Sequence, residues 1–125
     1  MSDEKLRPRA ANYLSHMLEA IRLAREYTEG IAKDAFFSDR KTQQAVILNL
    51  LIIGEAATKL VNEYPDFVAT YPEIPWKPIR GMRNRMVHGY FEINLDVVWD
   101  TIRESLPKLE QQLLNLSQQL EKASG

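Results

Sequence analysis

Arg83 and His88 are the residues of this sequence whose types suit chemistry together, and both fall within one short predicted helix. Histidine is the side chain whose unperturbed pKa allows proton transfer in both directions near neutral pH. Arginine presents a planar fork that matches phosphate oxygens and stabilises charge developing on phosphorus. The pair therefore suits RNA cleavage in which the ribose 2′-hydroxyl attacks its own phosphate, a reaction that requires no metal.

This reaction needs a base for the 2′-hydroxyl and an acid for the leaving oxygen, whereas the helix offers one histidine per chain. A symmetric dimer that brings two copies of Arg83 and His88 across one groove would supply both groups. The other histidine, His16, lies off the apolar stripe of the first predicted helix and is interpreted as a surface residue. Taken alone, an arginine and a histidine on one helix are more often structural than catalytic.

The local charge around these residues differs from that of the whole chain, whose net charge is −1. Between Glu73 and Glu92 there is no acidic residue, and the cations there are Lys77, Arg80, Arg83 and Arg85. A basic window in a neutral protein indicates a focused anion site rather than a broad phosphate-binding face. The alternative interpretation, a solvated basic helix, is the more common one for such windows.

The helix that must carry these residues is predicted from Trp76 to His88 and ends at Gly89. Its polar row, at i, i+4 and i+8, consists of Arg80, Asn84 and His88, so Asn84 is predicted to orient the His88 ring. Arg83 lies about 140° from His88 on an ideal helix. Either Arg83 is partly buried, with Glu55 as a candidate partner, or the helix distorts near its end and brings both groups to one cleft.

Composition narrows the class of protein. The 125 residues are 45% hydrophobic and 26% charged, which predicts one soluble domain covering residues 1–125. The chain has no cysteine, which excludes disulfides, cysteine-ligated metals and cysteine nucleophiles. We expect no metal and no cofactor, no signal peptide, no membrane span and a cytoplasmic location.

Apolar periodicity predicts an all-α protein. The first helix is predicted from Pro8 to Glu29, and the second from near Asp39 to Glu63, with a possible helical turn at residues 66–70. The last helix follows Asn94 and continues to about Lys122. Its leucines form an unbroken seam that could pack within the bundle or between two chains, and Pro107 is predicted to kink it.

Two residues stand out inside the second helix, which is apolar on almost every side and is therefore predicted to lie in the middle of a bundle. Gly54 costs helix stability, so it is interpreted as a point where another backbone approaches closely. Glu55 lies among hydrophobic neighbours, so it is expected either to pair with a cation or to lie at the edge of the helix.

The spacing Arg83-x-x-x-x-His88-x-Tyr90 resembles the signature of the HEPN superfamily, and specifically of its HepT-like toxin branch. The similarity extends beyond the motif, to Ile53-Gly54-Glu55-Ala56, to Ile74-Pro75-Trp76, to Gly81-Met82-Arg83-Asn84 and to Val98-Trp99. One position departs from the pattern: Gly89 stands where relatives often carry an acidic residue. This change could make the segment around Tyr90 more flexible or alter the choice of substrate.

The resemblance implies a four- to five-helix up-and-down bundle that forms a symmetric dimer, with Arg83 and His88 of both chains in an interfacial cleft. It also implies an endoribonuclease toxin, in which Asn84 and Glu55 would keep the supporting positions that helix geometry gives them. Its expected partners are RNA and a minimal nucleotidyltransferase antitoxin, which would neutralise it by transferring AMP to Tyr90. A higher assembly of toxin and antitoxin is also compatible with the resemblance.

Two other functions fit parts of the sequence. The chain could be a non-catalytic helical binding partner of a nucleotidyltransferase, in which case it would not generate cyclic phosphate ends on RNA. It could also be a purely structural helical dimer joined by the leucine seam, although that interpretation leaves the acid-free basic window unexplained.

Overall fold

The computed structural model describes the backbone of residues 3–124 and the side chains of residues 9–122. The helices, in chain order, are α1 (Asp3–Thr28), α2 (Lys33–Phe37), α3 (Arg40–Glu63), α4 (Pro65–Thr70), α5 (Trp76–His88), α6 (Leu95–Asp100) and α7 (Leu106–Ser124). A 3-10 turn covers Tyr90–Glu92, and a π-helical turn, Thr101–Ser105, joins α6 to α7. The prediction of an all-α bundle is therefore confirmed.

The central helix of the bundle is α3, which contacts α1, α2, α4 and α5. Asp39 caps its first turn as predicted, because the carboxylate accepts hydrogen bonds from the Thr42 amide at 3.1 Å and the Thr42 hydroxyl at 2.6 Å. These bonds lower the pKa of Asp39 below its ordinary value. The side chains that α3 buries come from several sides of the helix: Val46, Ile47, Leu50, Ile53, Ala56, Ala57 and Leu60.

One strip of α3 departs from the prediction that this helix is buried on almost every side. Leu48 is 58% exposed and Ile52 is 38% exposed, and Glu55 continues the same strip one turn later. We call these three residues the α3 strip. The sequence shows that they lie on an apolar helix, but it does not show which neighbouring element covers each side.

The predicted last helix is present as α6, the π-helical turn and α7, and Asn94 caps it as expected. The side-chain oxygen of Asn94 accepts hydrogen bonds from the amides of Asp96 at 2.9 Å and Val97 at 3.3 Å. The seam faces the core of the described chain, since its buried leucines are Leu106, Leu109, Leu113 and Leu116. Of the two alternatives for the seam, packing within the bundle is the one observed.

The irregularity in this helix lies immediately before Pro107. The Leu106 amide bonds to the carbonyl of Thr101, five residues back, so the turn holds one residue more than an α-helical turn. Pro107 has no amide hydrogen to donate, so it cannot continue the backbone hydrogen bonding of the helix. Leu106 before it keeps helical dihedral angles, with φ −64° and ψ −42°. The irregularity observed is a widened turn on the N-terminal side of Pro107, and the kink that the sequence predicted there stays a prediction.

The start of α1 and the presence of α2 were not predicted. The first helix begins at Asp3, so Pro8 is its sixth residue and does not mark its start. The short helix α2 was missed altogether. It is held by tertiary contacts, since Phe36 is fully buried and its ring centroid lies 5.3 Å from that of Trp99.

By length and mean hydropathy, α3 resembles a helix that could cross a membrane. Half of its most apolar window is buried inside the bundle, as expected for the core helix of a folded domain.

Candidate active site on helix α5

Helix α5 is anchored to the core at both ends. At its start, the indole nitrogen of Trp76 donates a hydrogen bond to the Tyr71 carbonyl at 3.0 Å. Trp76, Ile79 and Met86 are buried, which fixes the face of α5 that points inward. At its end, the Gly89 amide donates to the Arg85 carbonyl at 2.8 Å, so α5 remains regular through His88.

The base of the Arg83 side chain packs against α3 at Gly54, where α5 and α3 approach each other closely. A Cβ atom placed on Gly54 would lie 2.3 Å from the Cβ and 2.8 Å from the Cγ of Arg83. No side chain fits at that distance, so glycine is required for the base of the Arg83 side chain to lie against α3. The sequence-based interpretation of Gly54 as a point of close approach is confirmed.

The guanidinium of Arg83 is held from two sides. Its Nη2 donates a hydrogen bond to Glu55 Oε1 at 2.9 Å, and its Nη1 donates to Asn84 Oδ1 at 2.8 Å. The Arg83 side chain is 28% exposed, so water and ligands still reach it. Of the five N–H groups of a guanidinium, three remain free for a ligand.

These contacts decide between the two alternatives for Arg83. Because α5 is regular to its end, Arg83 is the partly buried side chain of the first alternative, and Glu55 is its partner. Glu55 itself is half exposed, so the interpretation as a residue at the edge of the helix also holds.

The predicted hydrogen bond between Asn84 and His88 is not formed, so this prediction is wrong. The Asn84 side chain accepts a hydrogen bond from Arg83 instead. The Asn84 side chain turns toward Arg83 because the guanidinium, fixed by Glu55, lies within its reach. His88 is exposed in the last turn of α5, with no hydrogen bond to any residue that the structure describes. Its ring is therefore free to meet a ligand.

Tyr90 lies in the 3-10 turn directly after α5, and its side chain is 48% exposed. The ring of Phe91 packs edge-on against it, with 5.9 Å between the ring centroids, and Phe91 is 99% exposed. Phe91 had no predicted role in the sequence. The backbone of Gly89 does not require glycine, but a Cβ there would lie only 3.0 Å from the Arg85 carbonyl oxygen.

Residues 17–116, which include all of this site, match a protein family described as ribonuclease HepT-like. The chain belongs to the ribonuclease HepT-like family. The resemblance recognised in the sequence is therefore confirmed.

Several relatives of this HepT-like chain have names that refer to ribonucleases. "Probable ribonuclease HepT" of Thermococcus cleftensis is 42% identical over 99 residues, which are 79% of this chain and 87% of the relative. "Putative RNase" of Methanocaldococcus jannaschii is 37% identical over 95 residues, 76% of each chain. A longer protein of the same organism, named as a gamma-glutamylcyclotransferase and putative RNase, is 37% identical over 110 residues, 88% of this chain and 48% of its own length. No solved structure gives a significant match.

The basic window of this HepT-like chain divides into paired and unpaired cations. Arg83 forms the ion pair with Glu55, whereas Lys77, Arg80 and Arg85 form none with the side chains that the structure describes. Within residues 9–122, no group of three or more histidine, aspartate or glutamate side chains is arranged to hold a metal ion.

We expect Gly54→Ala to disturb the site, whereas Gly81→Ala should be tolerated. The new methyl group at position 54 would overlap the Arg83 side chain and push α5 from α3, at a cost of about 1–3 kcal/mol in the free energy of unfolding. A Cβ at Gly81 meets only the far end of the Arg85 side chain, at 3.4 Å, so alanine there should be neutral or stabilising by roughly 0.5–1 kcal/mol. Urea unfolding of both variants measures the difference, and equal stabilities would contradict the close approach.

Proposed function

We propose that this HepT-like protein is a metal-independent endoribonuclease, with His88 as the general acid or base and Arg83 as the residue that holds the scissile phosphate. The observation that carries the proposal is the arrangement on α5: a guanidinium fixed by Glu55 and Asn84, and an exposed imidazole with no partner among the described residues. Membership of a family described as ribonuclease HepT-like supports it.

The proposed reaction proceeds within the RNA chain. One imidazole removes the proton of a ribose 2′-hydroxyl, and the oxygen attacks the adjacent phosphorus. The bond from phosphorus to the 5′-oxygen breaks, and that oxygen takes a proton from a second imidazole. The products are a 2′,3′-cyclic phosphate and a 5′-hydroxyl end. The free N–H groups of Arg83 would stabilise the additional charge on the phosphate oxygens in the transition state.

The geometry of α5 favours a dimer as the active form. Arg83 and His88 leave the helix about 140° apart, and Arg83 is turned toward α3, so one chain does not direct both groups at the same phosphate. A two-fold axis near this face would combine the groups of two chains and supply a second histidine. Leu48 and Ile52 of the α3 strip offer an apolar surface for such an interface, next to Glu55. Val87 is exposed on the neighbouring α5.

We further propose that the protein is the toxin of a toxin–antitoxin pair in the cytoplasm, regulated at Tyr90. A nucleotidyltransferase antitoxin would bind it, alone or in a larger complex, and direct the Tyr90 hydroxyl to attack the α-phosphate of ATP, releasing pyrophosphate. The half-exposed position of Tyr90, two residues after His88, supports this role. The added phosphate would repel RNA from the site and compete for Arg83.

His88→Ala and Arg83→Ala should each reduce RNA cleavage by at least about a hundredfold, because they remove proton transfer or charge stabilisation in the transition state. The matched control is His16→Ala, since His16 is an exposed histidine on α1 and should be dispensable. Cleavage is measured in the presence of a chelator, with identification of the cyclic phosphate ends and with circular dichroism to verify folding. Full activity of His88→Ala would refute the assignment, and inactivity of the parent chain would favour the binding-partner alternative.

Tyr90→Phe should abolish AMP transfer while leaving cleavage unchanged, because only the acceptor hydroxyl is lost. Tyr27→Phe is the control, since Tyr27 is 42% exposed, similar to Tyr90. Each variant is co-expressed with the cognate nucleotidyltransferase, and intact mass spectrometry measures the gain of AMP units. Persistent modification of Tyr90→Phe would exclude Tyr90 as the acceptor.

Ile52→Glu should convert the dimer to monomers and reduce cleavage in parallel, because an unpaired carboxylate would replace an apolar side chain of the interface and face its own copy across the two-fold axis. Leu114→Glu places the same charge at an exposed leucine of α7 and should retain the dimer. Light scattering coupled to gel filtration measures the mass of each variant. Active monomers of Ile52→Glu would contradict a catalytic cleft between chains.

A further inference from the structure

We infer that Arg80 forms a second phosphate-binding subsite, which holds a phosphate of the RNA next to the one that is cleaved. This inference rests on the proposed function, since it assumes that the RNA strand lies along the exposed side of α5. Among the cations of the basic window, Arg80 is distinguished by its position, its unpaired charge and the partial burial of its side chain.

The position of Arg80 follows from helix geometry. Its side chain leaves α5 about 60° from Arg83 and about 40° from Asn84, on the arc that joins Arg83 to His88. Along the helix axis it lies about 4.5 Å, or one turn, before Arg83 and about 12 Å, or two turns, before His88. A strand whose scissile phosphate is held by Arg83 therefore passes close to Arg80 on the same helix.

The charge of Arg80 is not compensated within the described part of the chain. Arg83 shares its charge with Glu55, whereas Arg80 forms no ion pair or hydrogen bond with any residue that the structure describes. The sequence around it contains no acidic residue from Lys77 to Phe91. An uncompensated guanidinium on this face is a strong attractor for a phosphate group.

The side chain of Arg80 is also partly covered by the surrounding fold. Its Nε atom is buried and has no hydrogen-bond partner among the described residues. Neither of its two terminal nitrogens is both buried and unpaired. A freely solvated arginine would leave Nε in water. Because Nε is covered, the two terminal nitrogens are the donors available to a ligand. Together they can bind two oxygens of one phosphate end-on. A partly covered side chain has less conformational entropy to lose when it binds.

The experiment compares Arg80→Gln with Arg85→Gln. Both changes remove one positive charge from α5 at a residue without an ion pair, but Arg85 leaves the helix about 140° from Arg80 and borders the groove between α5 and α6. The probe is a fluorescent 2′-O-methyl oligoribonucleotide, which lacks the attacking hydroxyl and cannot be cleaved. Binding is followed by anisotropy over a range of salt concentrations, and cleavage of unmodified RNA is measured separately.

Arg80→Gln should weaken binding of the probe by about tenfold and reduce the slope of log affinity against log salt by about 0.7. On unmodified RNA it should raise KM, with a much smaller change in kcat. Arg80→Lys should keep the salt slope while recovering only part of the affinity, because an ammonium group lacks the planar fork. Arg85→Gln should change each quantity by less than about twofold.

Three results would overturn the inference. Arg80→Gln could bind the probe as tightly as the parent chain, or Arg85→Gln could weaken binding equally, which would indicate only a diffuse charge effect. Arg80→Gln could also lose the dimer, which would make a carboxylate of a second copy the partner of Arg80. If Arg80→Gln binds normally while His88→Ala abolishes cleavage, the subsite is wrong and the proposed function stands. If the parent chain does not cleave RNA but Arg80→Gln still weakens probe binding, the proposed function fails and Arg80 remains a phosphate-binding residue.

Discussion

The passage of Arg83 over Gly54 is the contact on which the geometry of the candidate site depends. It brings α5 so close to α3 that the Arg83 side chain is directed along the surface of α3 to Glu55. Glu55 then fixes the guanidinium, and the fixed guanidinium attracts the amide of Asn84. The absence of a side chain at Gly54 thus determines how Arg83, Glu55 and Asn84 are oriented. His88 is left without a hydrogen-bond partner among the described residues.

Much of this architecture could be predicted because it depends on local patterns. The cap residues Asp39 and Asn94 marked the starts of α3 and of the last helix, and apolar periodicity identified the long helices. Gly54 and Glu55 were also informative, because each is energetically unfavourable in an isolated apolar helix and therefore indicated a compensating neighbour. Residues that conflict with their local surroundings were the best guides to tertiary contacts.

The remaining features depend on relations between elements that are distant in sequence. Asn84 lies within reach of both Arg83 and His88 on a helical wheel, and the choice between them is made by Glu55 on another helix. The helix α2 forms because Phe36 packs against Trp99, far along the chain. The exposure of the α3 strip follows from which sides of α3 its neighbours cover. None of these outcomes is encoded in a single segment, so periodicity alone could not supply them.

The π-helical turn at Thr101–Ser105 has a consequence for the way chains of this family can vary in length. It accommodates one surplus residue while Val98 before it, Ile102 within it and Leu106 after it all stay buried. A chain with one residue fewer in this segment could close the turn as ordinary α-helix and keep the apolar side chains on both flanks directed inward. Loss of a single residue is therefore structurally permissible here, whereas loss of a residue in α3 before Glu55 would rotate Glu55 away from Arg83.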